Sequence, residues 1–196
     1  MRRLIESGKK FFLLGLGLLL ILELSPLAVY GGAFAPRIEN LSIKDRDGLL
    51  ICSFKLENGL TDEVKKALNS GITIKYTYFI ELLRPGLFRN KKVKEIKRVR
   101  YLTYDHLKQE YHILLGPGEQ KMVSVRSEEE AERFVFQLKD VEVVRFKSIL
   151  QGSVYILRVR AIIEQVKEAA LPFKRLIGLF WKNSIATDWN EIRFRY

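Results

Sequence analysis

The residues best suited to chemistry lie together in the stretch LTYDHLKQEYHILL, which runs from Leu102 to Leu115. A hydrolase would need the Asp105 carboxylate and the His106 imidazole beside an activated serine or cysteine. Asp105 and His106 are adjacent, so their side chains do not readily face each other, and no serine is close in the chain. A zinc site needs three or four closely spaced ligands, whereas the only other histidine is His112. The stretch therefore predicts no catalytic residue and no metal ligand.

A β-hairpin accounts for more of this stretch than an active site does. Tyr101 and Thr103 alternate with their neighbours, Asp105 is a typical turn residue, and EYHILL again has the composition of a strand. Tyr104 and Tyr111 then become residues with a packed ring and a hydrogen-bonded hydroxyl. We therefore predict a structural role for the stretch, a protein that is not an enzyme, and no cofactor.

Strand patterns also dominate the rest of the chain. PRIENLSIKDRDGLLICSFKLENGL predicts a hairpin with an Asp-Gly turn, and ITIKYTYFIELL predicts a long strand that ends at Pro85–Gly86. LFRNKKVKEIKRVRYLTY predicts a basic connector that leads into another strand. SVYILRVRAII predicts a second long strand, and DWNEIRFRY a closing strand in which Trp189 is packed.

Three helices are predicted between the strands. Thr61 caps the first, in TDEVKKALNSG, and Ser127 caps the second, in SEEEAERFVFQLKD, whose apolar stripe ends at Leu138. Pro172 begins a third in LPFKRLIGLFW, which either covers one end of the core or lies at a membrane interface. Frequent hairpins without regular strand–helix alternation predict an antiparallel β-sandwich, immunoglobulin-like in general architecture, with helices in its connections.

The N-terminal segment predicts export. Basic residues precede a twelve-residue run of apolar residues and glycine, Phe11–Leu22, and small residues follow. That order is typical of a signal peptide, here cleaved after Ala33, although the segment also approaches the length of an uncleaved anchor. The prediction is a signal peptide or anchor over 1–33 and one exported domain over 34–196, in the periplasm or at the outer face of the cytoplasmic membrane. Cys52 is the single cysteine, which we expect to be buried, so no intramolecular disulfide is possible.

A cluster of basic residues is the most distinctive feature of the exported part. Removing the four basic and two acidic side chains of residues 1–33 lowers the formal charge only from +11 to about +9. The candidate interaction surface comprises Arg89, Lys92, Lys94, Lys97, Arg98 and Arg100. Three interpretations compete: a solubilising edge strand, attraction to an anionic membrane surface, and attraction to an acidic patch on a partner protein. No nucleic-acid partner is predicted, because an exported protein rarely meets nucleic acid and the chain lacks an aromatic-interleaved recognition motif.

Three segments carry a resemblance to a known family. They are ALNSGITIKYTYFIELLRPGLF, RYLTYDHLKQEYHI and LPFKRLIGLFWKNSIATDW, and with the N-terminal segment they cover nearly the whole chain. The chain resembles the exported bacterial proteins grouped as domain of unknown function 4390, but LFRNKK lacks the tryptophans expected after the arginine. The resemblance implies a single exported domain without known catalytic residues, encoded beside a membrane sensor histidine kinase.

Two functions of different classes follow from these observations. The first is a non-enzymatic accessory or interaction module at the outer face of the cytoplasmic membrane, whose partner is a membrane protein such as a sensor kinase or the anionic membrane itself. The alternative is a periplasmic small-ligand-binding β-sandwich, with Tyr76, Tyr78 and Tyr155 lining its cavity.

Overall fold

The computed structural model describes residues 35–116, 121–166 and 184–196, all of them within a compact unit that spans Phe34–Tyr196. The helices are α1 (Asp62–Asn69) and α2 (Glu128–Phe136), and a single 3₁₀ turn covers Phe146–Ser148. The strands are β1 (Arg37–Arg46), β2 (Leu49–Glu57), β3 (Ile74–Arg84), β4 (Lys91–Asp105), β5 (Glu110–Leu115), β6 (Lys121–Val125), β7 (Gln137–Arg145), β8 (Val154–Gln165), β9 (Ile185–Ala186) and β10 (Asn190–Arg195). None of the helices in the described ranges is long and apolar enough to cross a membrane.

The strands form two antiparallel sheets, which confirms the predicted fold class. The small sheet has the order β1-β2-β7, and the large sheet has the order β10-β8-β3-β4-β5-β6, with β9 also paired to β8. Short connections account for the antiparallel pairs β1-β2, β3-β4, β4-β5 and β5-β6, since a parallel pair would need a long crossover connection. The result is a sandwich-like domain rather than a closed barrel.

The core lies between the two sheets. Alternate residues of β3 face it, including the fully buried Tyr76 and Tyr78, because side chains of a strand point to opposite faces in turn. The rings of Phe54 on β2 and Tyr78 lie 5.7 Å apart and join the sheets. Cys52 is only 1% exposed and free, as predicted. Burial raises the pKa of its thiol to about 12, against a smaller opposing effect of the Arg98 charge.

Local sequence signals explain the predicted elements that the structure confirms. Asp47 and Gly48 both have positive φ, 53° and 75°, as a two-residue hairpin turn requires, and they join β1 to β2. The Thr61 hydroxyl accepts a hydrogen bond from the main-chain nitrogen of Val64 at 3.3 Å, which caps α1. The predicted hairpin over LTYDHLKQEYHILL is also confirmed, with Tyr104 opposite Tyr111.

The predicted course of α2 was wrong at its C-terminal end. The helix ends at Phe136, and Gln137 begins β7 without a loop, so Leu138 lies in a strand. Gln137 pairs with Lys55 and Leu138 with Phe54 of β2. Sheet pairing with a strand more than eighty residues away in the chain therefore overrides a local helical pattern at these positions. The third predicted helix, in LPFKRLIGLFW, and the N-terminal segment lie outside the described residues.

A candidate basic interaction site on strand β4

Strand β4 is paired on both sides over only part of its length. Residues from Lys91 to Leu102 pair with β3, whereas β5 pairs only with Arg100 to Asp105. One further hydrogen bond, from the Gly116 nitrogen to the Val99 carbonyl at 2.8 Å, extends that second side by one residue. In the described part of the chain, residues 91–98 therefore form an open edge, which we call the open segment of β4.

Most of the candidate surface therefore lies on strand β4 and not on a connecting loop. The basic segment was predicted as a connector leading into a strand, but the strand already begins at Lys91. Lys92, Lys94 and Lys97 are exposed and Arg98 is half-buried, all within the open segment. Arg89 is exposed in the loop that joins β3 to β4. The structure thus brings five of the six predicted residues to one accessible region.

Arg100 lies apart from the exposed residues of this surface. Its exposed fraction is 7%, because it lies opposite Tyr76 on the inner face of the large sheet, where α2 covers it. Its guanidinium donates a hydrogen bond to the carbonyl of Phe134 in the last turn of α2. The Tyr78 hydroxyl donates to the next carbonyl, that of Val135, at 2.8 Å. A cation and a hydroxyl thus satisfy carbonyls that a helix end leaves without partners in the helix.

The remaining cations of the open segment divide between two faces of the sheet. Directly opposed residues of neighbouring strands share a face. Lys94 lies opposite Leu82 and Arg98 opposite Tyr78, so both are on the inner face. Lys97 lies opposite Phe79 and is on the outer face. Lys94 and Arg98 have no ion-pair partner in the described ranges, so their charge is available to an outside group.

On the outer face, cations and aromatic rings alternate across β4, β3, β8 and the residue that precedes β10. The Lys97 ammonium lies 5.6 Å from the centre of the Phe79 ring, and the Arg160 guanidinium lies 5.4 Å from the same ring. Arg160 and Arg158 also lie 4.6 and 4.2 Å from the Trp189 ring. Trp189 is half-buried by these contacts, in agreement with the packed position that was predicted for it. Attraction of a cation to a ring face holds these charges in place without neutralising them.

Glu81 is the acidic centre of this face. Arg158 donates two hydrogen bonds to its carboxylate, at 2.9 and 2.6 Å, and the Lys92 ammonium lies 2.6 Å from the other carboxylate oxygen. Burial alone would raise the pKa of Glu81, but the hydrogen bonds from Lys92 and Arg158 outweigh that effect and hold the pKa below its ordinary value. Lys92 also pairs with Glu95. Of the cations of the open segment, it is therefore the one whose charge is most fully compensated by carboxylates.

A basic cleft lies beside the start of β4. It has a volume of about 370 Å³, and its basic lining residues are Arg84, Lys91, Lys92 and Lys147. The other lining residues are Val93, Ser148, Ile149, Leu150 and Tyr155, most of which are apolar. The lining includes no acidic residue. The combination of four cations with an apolar wall suits an anion that also has an apolar portion.

The tyrosines that were predicted to line a ligand cavity serve mainly as core residues. Tyr76 donates a hydrogen bond to the carbonyl of Gly59 at 3.2 Å, and Tyr78 donates to Val135. The Tyr155 hydroxyl accepts from the Leu150 nitrogen at 2.8 Å, although the ring also reaches the basic cleft. Burial is the main cause that raises the pKa of Tyr76 and of Tyr78. These contacts leave Tyr76 and Tyr78 without a free polar group for a ligand.

The hydrolase alternative required Asp105 to act together with His106. In the structure the histidine near Asp105 is His112 instead. His106 packs edge-on against Tyr104, with ring centres 4.8 Å apart. The His112 Nδ1 atom lies 2.8 Å from the Ser124 hydroxyl, and its Nε2 atom lies 3.6 Å from an Asp105 carboxylate oxygen. Sequence inspection missed Ser124, because only the register of β5 with β6 places it opposite His112.

This arrangement resembles a Ser-His-Asp triad in composition but differs from it in geometry. A separation of 3.6 Å is too long for the hydrogen bond by which a carboxylate orients the histidine. The other oxygen of Asp105 accepts from the main-chain nitrogens of Lys108 and Leu107 in the turn, and the bond from Lys108 is the main cause that lowers the pKa of Asp105. Asp105 is therefore chiefly a turn residue. Over the described ranges, no group of three or more histidine, cysteine or acidic side chains could hold a metal ion.

Taken together, these features define a class: a two-sheet antiparallel β domain whose candidate site is a basic strand with an open edge. The family model described as a domain of unknown function, DUF4390, matches residues 34–193, and the chain belongs to that family. This match confirms the resemblance found in the sequence. Searches of the curated proteins and of the solved structures found no match.

Proposed function

We infer that the domain is a non-enzymatic interaction module that acts at the outer face of the cytoplasmic membrane. There the open segment of β4 binds an acidic stretch of a membrane protein. A sensor histidine kinase is the partner class that the family resemblance implies. The observation that carries the proposal is that, within the described ranges, residues 91–98 are paired on one side only and include Lys94, Lys97 and Arg98, which have no carboxylate partner there.

The mode of binding follows from the properties of an open strand edge. Unpaired main-chain groups at such an edge can accept an additional strand, and flanking side chains decide which strand is accepted. A row of lysines repels the same edge of a second copy, which is how natural sheets avoid aggregation. The same row attracts a strand rich in aspartate or glutamate. Lys94 and Lys97 are on opposite faces of β4, so an added acidic strand would meet a cation on each face.

In-cell crosslinking of the tagged full chain tests this proposal. A photo-crosslinking residue at Lys94 is expected to capture one membrane protein, and the double change Lys94→Glu and Lys97→Glu is expected to lower its recovery at least tenfold. The matched control is Lys44→Glu with Lys139→Glu, which alters the charge equally on exposed positions of the small sheet. Equal recovery with both double variants would refute the role of the open segment.

A small-ligand-binding function is the second candidate, and the basic cleft supports it. The ligand would be a small acid with an apolar portion, since the cleft offers Arg84, Lys91 and Lys147, which have no ion-pair partner in the described part of the chain, beside an apolar wall. The test is the thermal unfolding midpoint of the full chain with a series of short- and medium-chain carboxylates. A rise that grows with carboxylate concentration in the wild type and is lost in Lys147→Gln would favour this function over the first.

A further inference from the structure

The loop between β3 and β4 exposes two adjacent apolar side chains. Leu87 is 99% exposed and Phe88 100% exposed, in the six-residue loop from Pro85 to Asn90 that closes the hairpin between Arg84 and Lys91. Single exposed apolar residues are common on proteins. Here two large ones project together from the tip of a hairpin. A Cβ atom on Gly86 would lie 2.5 Å from the Arg89 carbonyl oxygen, so this loop conformation depends on glycine at position 86.

Cations lie close to this apolar tip. Arg84, Arg89 and Lys91 are in or beside the loop, and Lys147 lines the basic cleft together with Arg84 and Lys91. Neither of the two stretches that form this end of the domain, residues 84–93 and 145–155, contains an aspartate or a glutamate. Arg84, Lys91 and Lys147 have no ion-pair partner in the described part of the chain. The cations at this end therefore keep a positive charge that nothing in these two stretches offsets.

We propose that this end of the domain docks onto a lipid bilayer that contains anionic phospholipid. Leu87 and Phe88 enter the boundary of the hydrocarbon region, while the surrounding cations contact phosphate groups and the cleft receives one headgroup. Basic side chains that extend from an apolar stem suit this depth, because the stem lies along apolar material and the charge stays in the polar layer. Leu150 and Val93, which are also exposed and line the cleft, enlarge the apolar area.

Charge complementarity favours a bilayer over a protein groove as the occupant. An anionic bilayer presents phosphates all around an inserted loop. The cations belong to two separate segments: Arg84, Arg89 and Lys91 are in or beside the hairpin loop, and Lys147 is on the 3₁₀ turn that lines the same cleft as Arg84 and Lys91. Each cation near such a surface contributes roughly a fivefold increase in affinity. This site goes beyond the proposed function, since it uses the hairpin tip and needs no protein partner, whereas the proposed function uses Lys94 and Lys97.

A fluorescent probe on a single introduced cysteine tests the proposal in the full chain. Leu87→Cys is labelled with an environment-sensitive dye, because buried Cys52 does not compete for the label. The matched control is Leu107→Cys, which is 98% exposed and lies in the turn at the other end of β4. With vesicles that contain phosphatidylglycerol, the emission maximum of the dye at position 87 is expected to shift to shorter wavelength. The emission maximum of the dye at position 107 is expected to stay at the value it has without vesicles.

Charge variants then test the role of the cations. Arg84→Gln, Arg89→Gln and Lys91→Gln together are expected to raise the lipid concentration for half-maximal shift about a hundredfold. Lys44→Gln, Lys121→Gln and Lys139→Gln remove the same charge elsewhere and should leave it unchanged. Equal shifts at positions 87 and 107, or an equal shift on phosphatidylcholine vesicles, would overturn the proposal. A shift at position 87 only with membranes that retain their proteins would also overturn it and assign the tip to a protein groove.

Discussion

The Arg100 guanidinium donates a hydrogen bond to the Phe134 carbonyl and thereby joins the inner face of β4 to the last turn of α2. The buried charge matters for stability, since removing it leaves a helix-end carbonyl without that donor. We expect Arg100→Ala to lower the free energy of unfolding by about 2–3 kcal/mol. Urea denaturation measures the change. Arg98→Ala, two residues away and half-buried, is the control and should cost about 0.5 kcal/mol; equal losses would contradict the structural role of Arg100.

The free energy of unfolding is expected to depend on pH through the carboxylate of Glu81. Because the folded-state pKa of Glu81 lies below the ordinary value of 4.5, its contribution is complete above that value and is lost as the pH falls through the folded-state pKa. At pH 7, Glu81→Gln should lower the free energy of unfolding by about 2 kcal/mol, because charge-assisted hydrogen bonds from Arg158 are lost.

The difference between Glu81→Gln and the wild type should shrink as the pH falls from 4.5 through the folded-state pKa of Glu81, because below that pKa both carry an uncharged side chain. Denaturation curves at several pH values give the comparison. Glu142→Gln, on an exposed position of β7, is the control and should stay within about 0.5 kcal/mol at pH 7. A difference for Glu81→Gln that does not change with pH would contradict the assignment.

Ser124 provides a direct test for serine hydrolase chemistry. The 3.6 Å separation between His112 and Asp105 and the exposed position of Ser124 on β6 do not favour an activated hydroxyl. We expect a fluorophosphonate probe to leave the full chain unlabelled at neutral pH, as judged by intact mass. Labelling that disappears in Ser124→Ala would mean that the domain is an enzyme and would refute the proposed function.

A substitution at Gly59 is also expected to destabilise the fold, here through packing alone. A Cβ atom there would lie 2.7 Å from the Phe136 ring and 2.9 Å from the Leu56 side chain. Gly59→Ala should therefore lower the free energy of unfolding by about 1–3 kcal/mol through overpacking. The shortened variant Phe136→Leu combined with Gly59→Ala should recover part of the loss. Thermal unfolding measures both, and a neutral Gly59→Ala would contradict the close contact.

Local signals predicted the elements, whereas long-range pairing decided what the candidate site contains. Alternation in β4 placed Arg98 and Arg100 on one face, but nothing near them in the chain indicated that α2, thirty-four residues from Arg100, covers only the second of them. For the same reason the sequence could not show that β7 begins at Gln137, since Lys55 of β2 supplies its pairing partner. Charge composition identified the open segment, but its open edge follows from where β5 ends.

Cys52 has a consequence for how the opening of the domain can be followed. It is the chain's single thiol, and it lies on β2 in the core between the two sheets, where burial suppresses the reactive thiolate. A maleimide can therefore reach it only when the sheets separate, so the labelling rate of the unmodified chain reports the frequency of that separation. If the open segment of β4 gains a partner strand, or the hairpin tip a bilayer, labelling of Cys52 should slow by the stabilisation that binding provides. The wild-type chain thus contains its own reporter of occupancy.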